Sequence, residues 1–391
     1  MCGRKKKTEK KSVEFEKDVT FLKDTRGFVD RLIAERGMWA PDILKRISID
    51  KGDNSLKFII NLIDKNWDPE ITFTRTEKPG NLCSGVKQSI ILAYVENVSE
   101  DYENIRLIME LLRVDELDYV VAADMKLLNV LLGLCGHGGK YACIYCEGEK
   151  GLEAGNPRTF SNLIHNYNAY VEAGSKPKLM QKFKNVINLP LIKVECDQKV
   201  DNAVPPPELH LMMGAVNHKL ALMWQYLATQ GLEHKLWEWC DSKGVTRRGY
   251  NGVNKLDGNN SAMFLENIED IRHTDWFPEE ATPIVDCLLA FRDVKDSTFS
   301  LELKNGWENT ISLYTSMFSE LQVYSEATLG LHLTCTWKIH IICCHLSPFL
   351  SKVQCGMANY SEQTGESIHA RLKPILKRDK RKEMHKEHII R

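Results

Sequence analysis

Two short runs, far apart in the chain, carry side chains that together could hold a transition metal. Cys143-Ile144-Tyr145-Cys146 sets two thiols at CxxC spacing, and His340 is followed by His345. Two thiolates and two imidazoles make a full tetrahedral ligand set for Zn²⁺. Each half has a carboxylate in its neighbourhood, Asp124 before the cysteines and Glu366 after the histidines. One metal joining the halves would therefore also draw two carboxylates into a single folding unit. The plainer reading of each half is that CxxC is a pair of buried thiols and that the histidines fill core or capping positions. Cys343 and Cys344 stand beside the histidines as competing ligands.

The elements that must position these groups can be read from hydrophobic period. Apolar residues at helical spacing predict a helix over 13–35. Pro41 breaks the chain, and the period then changes to that of strands. Ile43 to Asp50 is a short β-rich run ending in a carboxylate, Gly52-Asp53-Asn54 is turn chemistry, and Leu56 to Ile63 and Ser89 to Val95 are two further strands. Asp101 is placed to cap a helix running to Leu112. Tyr119 to Ala123 reads as a strand buried on both faces, with Asp124 at its end, and Lys126 to Leu134 returns to helical spacing. Strand, strand, strand, helix, strand, helix is the layout of an RNase H-like α/β domain. In that fold the first and fourth strands lie side by side, so Asp50 and Asp124 would meet at one sheet edge.

From about 150 to 335 amphipathic helices dominate, around 208–227, 232–239, 262–271, 281–294 and 307–324. The organisation expected is a basic N-terminal tail and helix over 1–40 and the first part of the catalytic domain over 41–135. A zinc-linked helical insertion follows over 136–336. The end of the domain, with the histidines, Glu366 and a basic tail, occupies 337–391. A lone Asp at a strand end is usually a turn or cap residue; the case for Asp50 and Asp124 rests on their place in the strand order. Phosphoryl transfer on DNA by two metals needs carboxylates that hold Mg²⁺ or Mn²⁺ close together and offset charge at the phosphorus. Glu366 is the candidate third carboxylate and Glu362 its near rival, with plain helix surface as the alternative for both. Held close without metal, Asp50, Asp124 and Glu366 should also push at least one of the three to a raised pKa.

Composition bounds these readings without choosing between them. A chain of 391 residues with 43% apolar content can bury a substantial core. No apolar run reaches the roughly 18–20 residues that span a bilayer, and the basic start Met1-Cys2-Gly3-Arg4-Lys5-Lys6-Lys7 lacks the apolar segment of a signal peptide. A reducing compartment is expected, where the twelve cysteines are core residues and metal ligands rather than a disulfide framework. The net charge of −1 argues against an autonomous nucleic-acid binder, although Arg4 to Lys11 and Lys373 to Arg391 are basic. Such runs are solvated tails or, at the N-terminus, a nuclear-import signal.

The segment from Asp124 through the Leu-rich stretch Leu127 to Leu134 to Cys143-Ile144-Tyr145-Cys146, followed by Leu152-Glu153-Ala154, resembles the catalytic core of the V(D)J recombination-activating recombinase and its Transib transposase relatives. Leu209-His210 with Gly214, Asp257-Gly258-Asn259-Asn260, His340 with His345, and Ser361-Glu362 with Gly365-Glu366-Ser367 match that family's later motifs in order. Ser48-Ile49-Asp50-Lys51-Gly52-Asp53 is similar to its strand bearing the first catalytic Asp. The resemblance implies a DDE triad of Asp50, Asp124 and Glu366 binding Mg²⁺ or Mn²⁺, and structural Zn²⁺ on Cys143, Cys146, His340 and His345. It further implies DNA cleavage and strand transfer in the nucleus by a homodimer, with an accessory subunit as a further partner and no membrane association. Glu362 is expected to turn away, and an aromatic that stacks on a flipped base is expected in the insertion, with Phe299 and Trp307 as candidates. Gly365 stands where the family has Asn, and the family's separate DNA-end-binding module is not found before the core. The alternative is a non-catalytic, zinc-stabilised nuclear DNA- or protein-binding protein derived from such a transposase.

Overall fold

The computed structural model describes residues 19–38, 42–52, 54–64, 89–136, 139–194, 197–250, 253–363 and 368. Its frame is a five-stranded mixed sheet in the order β1-β4-β3-β2-β5. The strands are β1 Val19–Phe21, β2 Ile43–Gly52, β3 Ser55–Asp64, β4 Ile90–Glu96 and β5 Val120–Ala122. β3 lies inside the sheet, and Leu56, Phe58, Ile59, Ile60 and Leu62 are all buried, the unbroken apolar run expected of a strand covered on both faces. β2 and β3 form a hairpin closed at the Gly52↔Ser55 pair. Asn54 in its turn has φ 62°, the left-handed conformation such short hairpins require and Asn tolerates.

β5 pairs parallel with β2, through Arg46↔Val120, Ile47↔Val121 and Ser48↔Ala122. The expected adjacency of the first and fourth of the predicted strands is therefore present. Between β4 and β5 runs α2 Tyr102–Leu112, capped as read by Asp101, whose carboxylate accepts from the Asn104 N–H. After β5 comes α3 Met125–Leu131.

The helix expected over 13–35 is corrected by the structure. Residues 13–18 lie outside the described residues, β1 takes 19–21, and the helix, α1, is Thr25–Glu35. Asp24 accepts from the Gly27 N–H and starts the helix there. Val19 and Phe21, which also fit a helical period, instead pair antiparallel with β4 at Val95 and Ala93.

The later part of the chain is helical: α4 Phe160–Glu172, the short α5 Val200–Ala203, α6 Glu208–Thr229, α7 Glu233–Ser242, α8 Gly258–Asn267, α9 Thr282–Thr298, α10 Trp307–Ala327, α11 Trp337–Cys344 and α12 Leu346–Val353, with one two-stranded hairpin between α7 and α8. α6 is the central helix of this region. Its Lys219 is fully buried, within reach of the rings of Phe291 (5.7 Å), Tyr314 (4.5 Å) and Phe318 (5.0 Å), and burial lowers its pKa. Phe299 packs edge-on against Phe291, and Trp307 is buried, so both proposed stacking aromatics are engaged in the core. Among the described residues no helix is long and apolar enough to cross a membrane.

Candidate metal centre and the carboxylate edge beside it

Cys143 and Cys146 sit in a buried loop beyond α3. The loop is held by Arg158, which donates from Nε to the Cys143 carbonyl (2.8 Å) and from Nη2 to those of Tyr141 (2.8 Å) and Lys184 (2.9 Å). The histidines approach from α11. Residues i and i+5 of a helix diverge by about 140°, so both rings can face one point only if the helix ends between them. It does: His345 is the C-cap of α11, at φ −121° and ψ −20°.

The four ligand atoms converge within 4.8 Å of one another. Cys143 Sγ lies 3.4 Å from His345 Nε2, Cys146 Sγ lies 3.4 Å from His340 Nε2, and the two Nε2 atoms are 3.2 Å apart. With Zn–N near 2.0 Å and Zn–S near 2.3 Å, the edges of a zinc tetrahedron are roughly 3.3–3.8 Å. The site therefore fits a tetrahedral ion such as zinc. The surroundings suit it as well. The Tyr145 and Gly148 N–H groups donate to the two sulfurs (3.4 Å each), which favours thiolates. His340 Nδ1 lies 2.7 Å from the Gly151 carbonyl, an acceptor only, so Nδ1 carries the proton and Nε2 is left for a metal.

The protonation pattern is that of a charged pair. The hydrogen bond from Cys143 and those from His340 and His345 hold the Cys146 thiol far below its ordinary range, while burial pushes Cys143 up. Burial pulls His340 down, but its bonds to Cys146, Cys344 and Gly151 prevail and raise it to about 10. Metal uptake would release protons from both residue types. The rival ligands fall away. Cys344 Sγ lies 3.7 Å from His340 Nδ1, the nitrogen that faces Gly151. Cys343 belongs instead to the surroundings of Lys219.

The second group of interest lies at the C-terminal end of the β2–β5 pair. The register that aligns Ser48 with Ala122 carries Asp50 and Asp124 to the same end, Asp50 two residues further along β2 and Asp124 two residues past the end of β5. Lys57 faces Asp50 across the β2–β3 pair. Asp124 also fulfils the plainer reading: it caps α3, its Oδ1 accepting from the Leu127 N–H at 2.7 Å. The carboxyl pushed up at this edge belongs to Glu100, in the turn between β4 and α2. Burial is the main cause, and the charges of Asp124 and Asp50 add to it against the opposing 2.7 Å bond from Lys126. Glu366 lies outside the described residues, so the third member of the expected triad is not seen with the other two.

Glu362 corrects an expectation. It does not turn away: it is buried, and its Oε1 accepts from the backbone N–H (3.0 Å) and Nδ1 (2.9 Å) of His210 on α6. His210 is pulled down by burial, but Glu362, and then Asp124, outweigh this and leave it raised.

Asp124 and His210 open onto a cleft of about 650 Å³ between α3, α6 and α11, whose walls include Lys126, Lys150, Lys255, Lys338 and Trp337. Lys126 pairs with Glu100. Lys150, Lys255 and Lys338 have no ion-pair partner among the described residues, and burial, with Lys255 nearby, lowers Lys338. Gly214 makes room for the Lys338 stem, because a Cβ there would come within 2.1 Å of its Cδ. Glu100 and these lysines were not read from the sequence. The available signals were a carboxylate just before a helix cap, Ser99-Glu100-Asp101, and a lysine two residues before a zinc-type histidine.

A family described as Domain of unknown function (DUF8703) matches residues 82–154, the stretch that holds Glu100, Asp124 and both cysteines. No curated protein matches the chain.

Proposed function

We propose that the chain is a DDE-type DNA endonuclease and strand transferase, similar to the V(D)J recombination-activating and Transib transposase core, with an RNase H-like sheet interrupted by the helical region. The observation that carries this reading is the parallel neighbour relation of β2 and β5, which brings Asp50 and Asp124 to one strand end where their charges help to raise Glu100. Crowded carboxylates at the mouth of a cation-lined cleft suit divalent ions and a phosphodiester. In the reading, Asp50, Asp124 and Glu366 hold the ions, and the Cys/His centre holds structural Zn²⁺. Bound Mg²⁺ or Mn²⁺ would supply activation of the attacking oxygen and charge neutralisation at the leaving one.

The chain's own groups do the rest. Lys150, Lys255 and Lys338 draw the phosphate backbone into the cleft, and the α3 turn fixes the orientation of Asp124 through its cap bond. Water opens one phosphodiester to a 3′ hydroxyl and a 5′ phosphate, and the freed 3′ hydroxyl then attacks a second phosphodiester, joining to its 5′ phosphate as the 3′ oxygen of that strand leaves and takes up the proton as a new 3′ hydroxyl. Acting on two DNA ends implies a homodimer, with an accessory subunit to choose the ends, in the nucleus.

A second reading has its own support. Asp124 caps a helix and Glu100 is paired with Lys126, so both acids have structural employment. In that case the chain is a non-catalytic, zinc-stabilised DNA- or protein-binding relative. Incubation with nicked and hairpin-forming DNA in Mg²⁺ or Mn²⁺ separates them: the enzyme yields new 3′ hydroxyl ends, and the relative yields none.

A further inference from the structure

Below the carboxylate edge, on the same sheet, lies a second buried charged group that the proposed chemistry does not use. Arg46 of β2 is 1% exposed, and its Nη1 donates to the carbonyls of Asn359 (2.9 Å) and Ala358 (3.5 Å). Glu362, 5% exposed, takes both bonds from His210. Glu208, in the first turn of α6, takes a hydrogen bond from Ser361 and lies in the fields of Glu362 and Arg46. Each of the two glutamates also keeps a buried Oε2 with no hydrogen-bond partner among the described residues. Three pieces of chain that are remote in sequence thus meet in one polar cluster: β2, the start of α6, and 357–362.

Plain packing would join these pieces at least as well. Burying charges is costly, and apolar replacements of buried ion clusters are often neutral or stabilising. What a charged, directional cluster adds is a single allowed placement. That placement bears on the proposed site from two sides. Arg46 and Asp50 point to the same face of β2, four residues or about 13 Å apart. Glu362 stands four residues before Glu366 in the chain.

We infer that Arg46, Glu208, His210 and Glu362 form a clasp that fixes residues 357–362 against the face of β2 that bears Asp50. They are positioning residues and not metal ligands. The clasp rests on the geometry above; its service to Glu366 rests on the proposed function.

The test uses the full, zinc-loaded chain with Glu362→Gln, which keeps shape and an accepting oxygen but loses the charge that strengthens both His210 bonds. Ser361→Ala is a milder second variant. Losing a charge-assisted buried bond should speed hydrogen exchange of the 357–363 amides by about tenfold or more, and less in Ser361→Ala, with the 143–146 loop unchanged. In the nicking assay, Glu362→Gln should raise the half-saturating Mn²⁺ concentration by about tenfold while the rate at saturating Mn²⁺ stays within about twofold. Unchanged exchange in both variants overturns the clasp. A nicking rate lost at every Mn²⁺ concentration also overturns it, since Glu362 would then be a ligand. If the native chain does not nick at all, the proposed function fails, and faster exchange in the variants still upholds the clasp.

Discussion

The Cys/His centre and the carboxylate edge are neighbours in the chain, separated by little more than α3 and one loop, yet they are built in opposite ways. At the centre, ligand atoms from two distant segments, three of them on buried residues, converge within 4.8 Å of one another, and His340 is oriented from behind by Gly151. At the edge, the acids have partners of other kinds, a helix N-terminus for Asp124 and a lysine for Glu100, and the site opens on a cleft. A closed ligand set behaves as part of the fold, because its free energy of binding is folding free energy. An acidic edge opening on a cleft walled by Lys150, Lys255 and Lys338, which have no ion-pair partner among the described residues, contributes little to stability and, in the proposed reading, suits a ligand from outside.

The largest effect should come from the cysteines. Cys143→Ala should abolish stoichiometric zinc binding and the cooperative unfolding transition, since structural zinc contributes on the order of 10 kcal/mol or more in small zinc domains. Cys344→Ala should leave zinc content and melting temperature near native. Metal analysis and calorimetry on the two variants check this; equal zinc loss in both would contradict the ligand assignment.

A smaller effect is expected from two titrating groups on α6. Burial, with the charge of Glu362, raises Glu208 to about 7 from an ordinary 4.5. The folded chain then keeps a proton that the unfolded chain releases, so stability falls as pH rises from about 4.5 to 7, by up to roughly 3 kcal/mol. His218 is lowered by burial, and by Lys219, to about 3. It stays neutral in the fold, so its contribution is lost as pH falls below about 6.5, with the opposite slope. Urea unfolding at pH 5 and 7 should show Glu208→Gln gaining on the native chain at pH 7, and His218→Gln gaining at pH 5. Parallel pH profiles for all three proteins would count against both assignments.

The smallest effect should come from the cleft. Lys338→Ala should weaken binding to any DNA duplex by a few-fold and reduce the salt dependence by about one counterion, without altering zinc content. A titration at two salt concentrations reads both quantities. A Lys338→Ala variant that binds duplex DNA with native affinity and salt slope would remove the cleft from the account.

What could be read in the sequence was chemistry with a fixed spacing. Thiols at CxxC and a histidine pair offer a ligand set beside the plainer reading of buried thiols and core imidazoles, and the strand order set β2 next to β5 because a continuous apolar run such as Tyr119 to Ala123 belongs inside a sheet. What could not be read depended on partners remote in the chain. Val19 and Phe21 satisfy a helical period, and only pairing with β4 makes them a strand. Glu362 could be read only as a rival of Glu366 or as plain helix surface, because its partner, His210, is 152 residues away. Glu100 offers no motif, since its raised carboxyl comes from burial and from charges on two other strand ends.

In the proposed reading Asp124 serves metal-dependent cleavage as well as capping α3. Asn caps a helix about as well as Asp, whereas Ala costs about 1 kcal/mol, so Asp124→Asn separates the two roles. Zinc-loaded native and Asp124→Asn chains should be compared on nicked DNA in Mn²⁺, with melting temperature recorded for each. The native chain should nick, and Asp124→Asn should melt at the native temperature and nick at least about a hundredfold more slowly, as for loss of a group that stabilises the transition state. Nicking by Asp124→Asn at the native rate, or none by the native chain, would contradict that reading.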